Sequence, residues 1–271
     1  SDFLITEVRV QQLPRISYLM TVWMRTQVLM LAALGSTLAL TPAEWVAGTG
    51  LGINLGNTLD APTEGSWAKP AKEVYFDWYK AAGFTSVRVP VRWDAHTLTV
   101  PPYTVNASFL DRVEQVVDWS IARGLYTLVN THHDDWLDGS TDTAAFEAEL
   151  PRLTAIWSQV AARFSPKSDL LAFEIYNEPH YNMTTAWLNA MNSAVLPVLR
   201  ATNPTRNILL GGLKFMNPTW IASHPDDMVF PSNDTHLLLE VLSRTPRART
   251  KPIARRSRTA SSPEAQHTRA L

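Results

Sequence analysis

Hydrophobic and polar positions along the chain alternate on two length scales. Short apolar runs recur near Ile53, Val89, Val129, Phe173, Leu209 and Leu238, each of strand length and rich in β-branched or aromatic members. Between them lie stripes of helical period. Val74, Trp78 and Ala81 form one before Gly83. Phe109, Leu110, Val113, Val117 and Ile121 form a second, with Ser108 as the expected N-cap and Gly124 as the stop. Phe146, Leu150, Leu153, Trp157, Val160 and Phe164 make a third, in which Pro151 calls for a kink or a late start. Leu188, Met191, Val195 and Leu199 make a fourth, with Pro197 inside it. Such alternation of apolar strands and amphipathic helices predicts parallel β/α units with buried strands, and both a doubly wound sheet and a (β/α)8 TIM barrel have this period.

The polar residues discriminate between the two. The expected strands end in Gly52-Ile53-Asn54-Leu55-Gly56-Asn57, Arg88-Val89-Pro90-Val91-Arg92-Trp93, Asn130-Thr131-His132-His133-Asp134-Asp135-Trp136 and Asn177-Glu178-Pro179-His180. Loaded carboxyl ends on successive strands converge only if the strands curl around a common axis, which favours the barrel. Gly52 and Gly56 make no dinucleotide loop, because Arg88 stands where an acidic residue would be needed. In the last cluster the strand is expected from Leu170 to Tyr176. Pro179 then stops it and should hold Glu178 extended. His132, His133, Asp134 and Asp135 resemble a metal cluster, but neighbours on a strand face opposite ways and would not reach one ion without a bend, so no metal is expected.

Composition adds bounds. The 271 residues are 45% hydrophobic with a net charge of −1, enough for one large core and without the basic excess that nucleic acid attracts. Zero cysteines exclude disulfides and thiolate metal sites. Ten tryptophans are a heavy load; most must be core, but a sugar-binding cleft also needs flat apolar faces on which pyranose rings stack. Arg25 followed by the apolar run Val28 to Leu40, with Thr37-Leu38-Ala39 small enough for cleavage, has the layout of a secretory signal and is too short for stable membrane insertion. Three glycosylation triplets, at Asn106, Asn182 and Asn233, agree with a secreted protein.

With its motifs Gly-Ile-Asn-Leu-Gly-Asn-Thr-Leu-Asp-Ala, Val-Arg-Val-Pro-Val-Arg-Trp, Thr-His-His-Asp-Asp-Trp and Glu-Ile-Tyr-Asn-Glu-Pro-His in order, the chain resembles family 5 glycoside hydrolases of the endo-β-1,4-glucanase type, from about Leu51 to Glu240. The resemblance implies retaining hydrolysis of β-glucan polysaccharide or oligosaccharide by two glutamates, without a cofactor. It makes Glu178 the acid/base, Asn177 the partner of the sugar 2-hydroxyl, Arg88 the support of the nucleophilic carboxylate and His132 a wall of the cleavage subsite. Asn57, Trp93, His133 and Trp136 follow as candidate substrate contacts, with core or rim packing the alternative for the two tryptophans.

The resemblance stops after strand six. Leu242 and Arg244 occupy positions where the family has His-x-Tyr, and no strand-seven glutamate or later tryptophan follows. From Arg244 the chain carries seven Arg and one Lys against one Glu, with no apolar period, which is expected to be disordered. The expected organisation is therefore a leader at 1–40, an incomplete barrel of about six β/α units at 41–243 and a basic tail at 244–271. Strands one and six should be unpaired edges. Without its nucleophile the chain is expected to hydrolyse little or nothing, Glu240 lying below the rim. The alternative function is a non-catalytic carbohydrate-binding remnant.

Overall fold

The computed structural model describes residues 8–11, by backbone alone, and 39–242; the rest of the expected leader up to residue 38 and the basic tail lie outside the described residues. Six parallel strands stand in sequence order: β2 (Gly52–Asn54), β3 (Ser86–Val89), β4 (Tyr126–Asn130), β5 (Leu171–Glu174), β6 (Ile208–Gly211) and β7 (Leu237–Leu242). This is the expected α/β architecture, a curled and incomplete (β/α)8 barrel. One edge departs from expectation. β1 (Val8–Gln11) pairs antiparallel with β7, Val8 opposite Leu242, so the sixth barrel strand is covered by a segment read as leader. Its alternating apolar pattern is only four residues long and too short to signal a strand by itself.

The helices are α1 (Pro42–Thr49), α2 (Glu73–Ala81), α3 (Ala107–Ile121), α4 (Asp135–Asp138), α5 (Thr143–Phe164) and α6 (Thr185–Thr202), followed by the short turns α7 (Leu213–Met216) and α8 (Pro218–Ser223). Among the described residues no helix is long and apolar enough to cross a membrane. Asn106, not Ser108, caps α3, its side chain accepting from the Phe109 N–H. α5 runs without a late start from its Asp142 cap through Pro151. In α2 the expected stripe is rotated: Val74 and Trp78 are 40% and 59% exposed, whereas Phe76 is buried and packs with Tyr79 and Trp119 of α3. The helix is short enough that neighbouring aromatics on both faces give it two possible apolar stripes.

Side chains two apart on a strand share a face, so the curled sheet has an outside and an inside. Outward-facing Val87, Val89, Val129, Leu171, Phe173, Ile208 and Leu210 are buried against the helices. On the inside, Leu128, Ala172, Leu209 and Leu238 form a separate cluster with Trp45 of α1. That helix starts in a reciprocal capping box between Thr41 and Glu44, and the Trp45 indole N–H donates to the Leu170 carbonyl at 3.2 Å. α1 thereby seals the amino-terminal end of the strands with one large ring. Two residues further along three of these strands the interior turns polar, at Asn130, Glu174 and Glu240, with Gly211 at the matching place on β6. Trp45→Ala should therefore lower the unfolding free energy in urea by about 3–5 kcal/mol; a loss below about 1 kcal/mol would mean that α1 does not seal the barrel.

Candidate active site

Arg88 sits at the centre of the polar layer. Its Nε and Nη2 donate to the two oxygens of Glu174 at 2.7 and 2.6 Å, its Nη1 to Asn54 Oδ1 at 3.1 Å and its Nη2 to Asn177 Oδ1 at 2.7 Å. Burial works against the guanidinium charge, but the Glu174 carboxylate outweighs it and holds the pKa above the ordinary arginine value. Glu174 is fully buried and also accepts from Asn130 Nδ2 at 3.0 Å. Because Arg88 only donates, Asn177 must turn its Oδ1 toward the guanidinium, which leaves its NH2 as a donor. Among the described residues the carboxylate partner of Arg88 is Glu174 on β5, reached across the intervening β4.

Glu178 follows four residues later, after the strand has ended at Glu174 rather than at Tyr176. Its φ is +45°, left-handed and not extended as the following proline suggested. The turn is held from outside: the Glu178 carbonyl faces His180 Nδ1 at 2.6 Å, and the Pro179 carbonyl accepts from the Phe215 N–H at 3.2 Å. Local sterics lose here to tertiary hydrogen bonds, a form of strain common at functional sites. His180 is further anchored by Asp138, 3.2 Å from its Nδ1. Its ring stacks on Phe215 at 4.5 Å and lies 4.0 Å from the exposed Tyr181.

On the other flank, Asn57 is exposed, and its backbone N–H and that of Thr58 donate to Asp60 at 3.0 and 2.7 Å. His133 Nε2 lies 3.8 Å from Asp60 Oδ2, and the half-exposed Trp67 stands edge-on to His133 at 5.3 Å. Burial alone would raise the Asp60 pKa, but the His133 hydrogen bond and the two backbone amides hold it below the usual carboxylate value. His133 has φ +62°, which supplies the bend that a regular strand lacks and turns His132 and His133 toward the same carboxylate. Among the described residues Asp60, His132 and His133 bring three potential metal donors within 4.8 Å of one another.

The expected substrate contacts divide. Asn57, His132 and His133 gather around Asp60. Trp93 does not reach the cleft: it is fully buried, donates its indole N–H to the Asn130 carbonyl at 2.9 Å and packs on Phe109. Of the two readings the sequence left open for Trp93, core packing is the one the structure shows, with the ring lying beyond the end of β3 against α3. Trp136 is half-buried, one ring face covered by the Arg152 guanidinium at 4.4 Å. Glu174, Asp60, Trp67 and Asn130 were missed as site residues. Glu174 had a signal, being the one charge inside an apolar strand; Trp67 had none, since it lies in an irregular loop.

Two buried carboxyls carry a pH consequence. Glu240 is fully buried and neither oxygen has a hydrogen-bond partner among the described residues; burial, with the negative charge of Glu174 adding to it, pushes its pKa well above the ordinary value. Asp134 is pushed up to about 8, by burial first and then by Asp94. A cavity of about 430 Å3 between α6 and the 231–236 loop is walled by Pro197, Pro204 and Pro231, and its one carboxylate, Asp234, is paired with Arg200.

An acid with an amide at its side, above a buried arginine–carboxylate pair and between aromatic flanks, at the carboxyl ends of parallel barrel strands, is the layout of a barrel glycosidase. The family model for cellulase (glycosyl hydrolase family 5) matches residues 49–242. Endoglucanase H of Acetivibrio thermocellus is 52% identical over 174 residues, covering 64% of this chain and 19% of that protein. A Thermotoga maritima Cel5A structure with mannotriose has TM-score 0.67 at 32% identity, covering 73% of this chain and 61% of that one. A tri-modular GH5 subfamily 4 endo-β-1,4-glucanase from Bacillus licheniformis with cellotetraose has TM-score 0.67 at 39% identity, covering 74% and 39%. The chain therefore belongs to glycosyl hydrolase family 5, while spanning less than two thirds of these relatives.

The Asp134 shift fixes the sign of one pH effect. A carboxyl whose folded pKa is raised stabilises the fold fully below its unfolded value near 4, and that contribution is lost as pH rises toward 8. Stability should fall across this window by up to about 1.4 kcal/mol per pH unit. Urea midpoints at pH 5 and pH 8 should differ markedly less in Asp134→Asn, and an unchanged difference would refute the assignment.

Proposed function

We propose that this barrel segment binds β-1,4-glucan chains across the rim between the Trp67–His133 flank and the His180–Phe215 flank, with Glu178 as acid/base. The observation that carries this reading is the Arg88–Glu174–Asn177 network: it aims an amide donor beside a carboxyl at the rim, where a sugar 2-hydroxyl and the glycosidic oxygen would lie. The family relation and the cellotetraose complex of the Bacillus licheniformis relative support the same substrate class. Trp67 offers a half-exposed ring to a pyranose face on one flank, and Tyr181 and Phe215 offer theirs on the other.

Hydrolysis by the chain as written is a separate matter. A retaining mechanism needs a second carboxylate about 5 Å from the acid/base. Among the described residues, Glu174 has both oxygens engaged by Arg88, and Glu240 is fully buried with its pKa pushed well above the ordinary carboxylate value, so neither offers a free carboxylate at the rim. We therefore assign sugar binding with little or no turnover to this chain, and hydrolysis to the complete family architecture. The apolar segment before Leu40 and the exposed positions of Asn106, Asn182 and Asn233 support secretion.

Calorimetry with cellotetraose and reducing-sugar release from soluble cellulose test both statements. Binding without release is expected, weakened about tenfold in Trp67→Ala, equivalent to about 1.4 kcal/mol. Release abolished by Glu178→Gln would overturn the assignment of inactivity, and absence of binding would overturn the function.

A further inference from the structure

Asn130 ends β4 fully buried, between Val91 on one side and Glu174 and His132 on the other. Its Oδ1 accepts from the Val91 backbone N–H at 3.2 Å, and its Nδ2 donates to Glu174 Oε1 at 3.0 Å. A backbone N–H only donates. Glu174 Oε1 is already an acceptor of Arg88 Nη2 at 2.6 Å. The two contacts therefore leave the carboxamide a single orientation, with its NH2 toward Glu174 and His132. That NH2 lies 3.2 Å from His132 Nδ1. An amide NH2 has hydrogens and no lone pair to offer, so Nδ1 must present its own lone pair. The imidazole proton is then left to Nε2, on the far side of the ring. A second proton on Nδ1 would point hydrogen at hydrogen.

We propose that Asn130 is a positioning residue that locks His132 as a neutral imidazole with its proton on Nε2, so that His132 donates to a sugar oxygen in the cleft and serves neither as a base nor as a metal ligand. The electrostatic surroundings agree: burial, then the charge of Arg88 and the neighbouring His133, keep the His132 pKa well below 6.5. The lock also explains what the Asp60–His132–His133 group is. Three donor atoms approach one another, yet the ring nitrogen of His132 that faces away from Asn130 carries a proton and cannot coordinate. Carboxylates or carbonyls beside metal-bound histidines accept a hydrogen bond from Nδ1–H and so leave the Nε2 lone pair for the metal; an amide NH2 in that place does the reverse. One residue of β4 thus connects the Arg88–Glu174 pair to the chemistry of the cleft.

The donor role rests on the sugar-binding reading, whereas the proton position does not, and the test separates them. Long-range proton–nitrogen spectra of the full chain labelled at histidine, with the His132 signal identified by its loss in His132→Gln, read the tautomer directly. His132 is expected to show the Nε2–H neutral pattern throughout pH 5.5 to 8. It should shift on addition of cellotetraose, and no histidine signal of the native chain should respond to Zn2+ through His132. In Asn130→Asp the carboxylate accepts from Nδ1, so the pattern should reverse, His132 should begin to titrate, and cellotetraose binding should weaken about tenfold with the loss of one donor. An Nδ1–H or imidazolium pattern in the native chain at pH 7, or Zn2+ binding abolished by His132→Gln, overturns the proposal whether or not Asn130→Asp folds. An Nε2–H pattern that ignores cellotetraose leaves the proton assigned and overturns the donor role.

Discussion

The buried pair between Arg88 and Glu174 is the constraint on which the rest of the site depends. A guanidinium and a carboxylate inside a barrel each lose hydration worth several kcal/mol, and only close geometry with every remaining donor satisfied makes the arrangement tolerable. Here the fork of Arg88 meets both oxygens of Glu174, and its remaining donors reach Asn54 and Asn177. Glu174 in turn takes Asn130. Four strands, β2 to β5, each contribute one member at or near their carboxyl ends, so the pair also fixes how far each strand is shifted past the next. Asn54 lies opposite Arg88 in the β2–β3 register, and Asn130 opposite Glu174 in the β4–β5 register.

The chemistry at the rim follows from that layer. Asn177 is oriented by Arg88, and His132 by Asn130, so two of the groups that would touch a sugar have hydrogen-bonding polarities set two residues deeper in the sheet. Glu178 is set by a different device: a left-handed turn held by His180, Asp138 and Phe215 from the loops of β4, β5 and β6. The division is physically sensible. A binding donor benefits from a rigid low-dielectric support, while a carboxyl in the acid/base role proposed for Glu178 would need a place beside the solvent.

Much of this was legible in the sequence. All six barrel strands lie where the apolar runs placed them, because strands buried on both faces leave an uninterrupted hydrophobic signature. The clusters at their ends identified Arg88, His132, Asn177 and Glu178 as neighbours. What was not legible depends on contacts distant in the chain. The sequence left Trp93 open between cleft and core, and its buried indole, donating to the Asn130 carbonyl, decides for the core. Glu178 adopts a conformation that the following proline disfavours, since Phe215 and His180 hold the turn. The β1–β7 pairing joins segments more than two hundred residues apart in sequence, and a four-residue strand has no periodicity to announce it. Glu174 was visible as an isolated charge in an apolar strand, and period-two counting from Ala172 would have put it inside the barrel.

The most direct test of the central pair is a double-mutant cycle with Arg88→Met and Glu174→Gln, read by urea unfolding. Arg88→Met alone strands a buried carboxylate and should lose about 3–5 kcal/mol, whereas the double variant should regain at least half of that loss. Additive losses would show that Arg88 and Glu174 stabilise the barrel independently and would contradict the account.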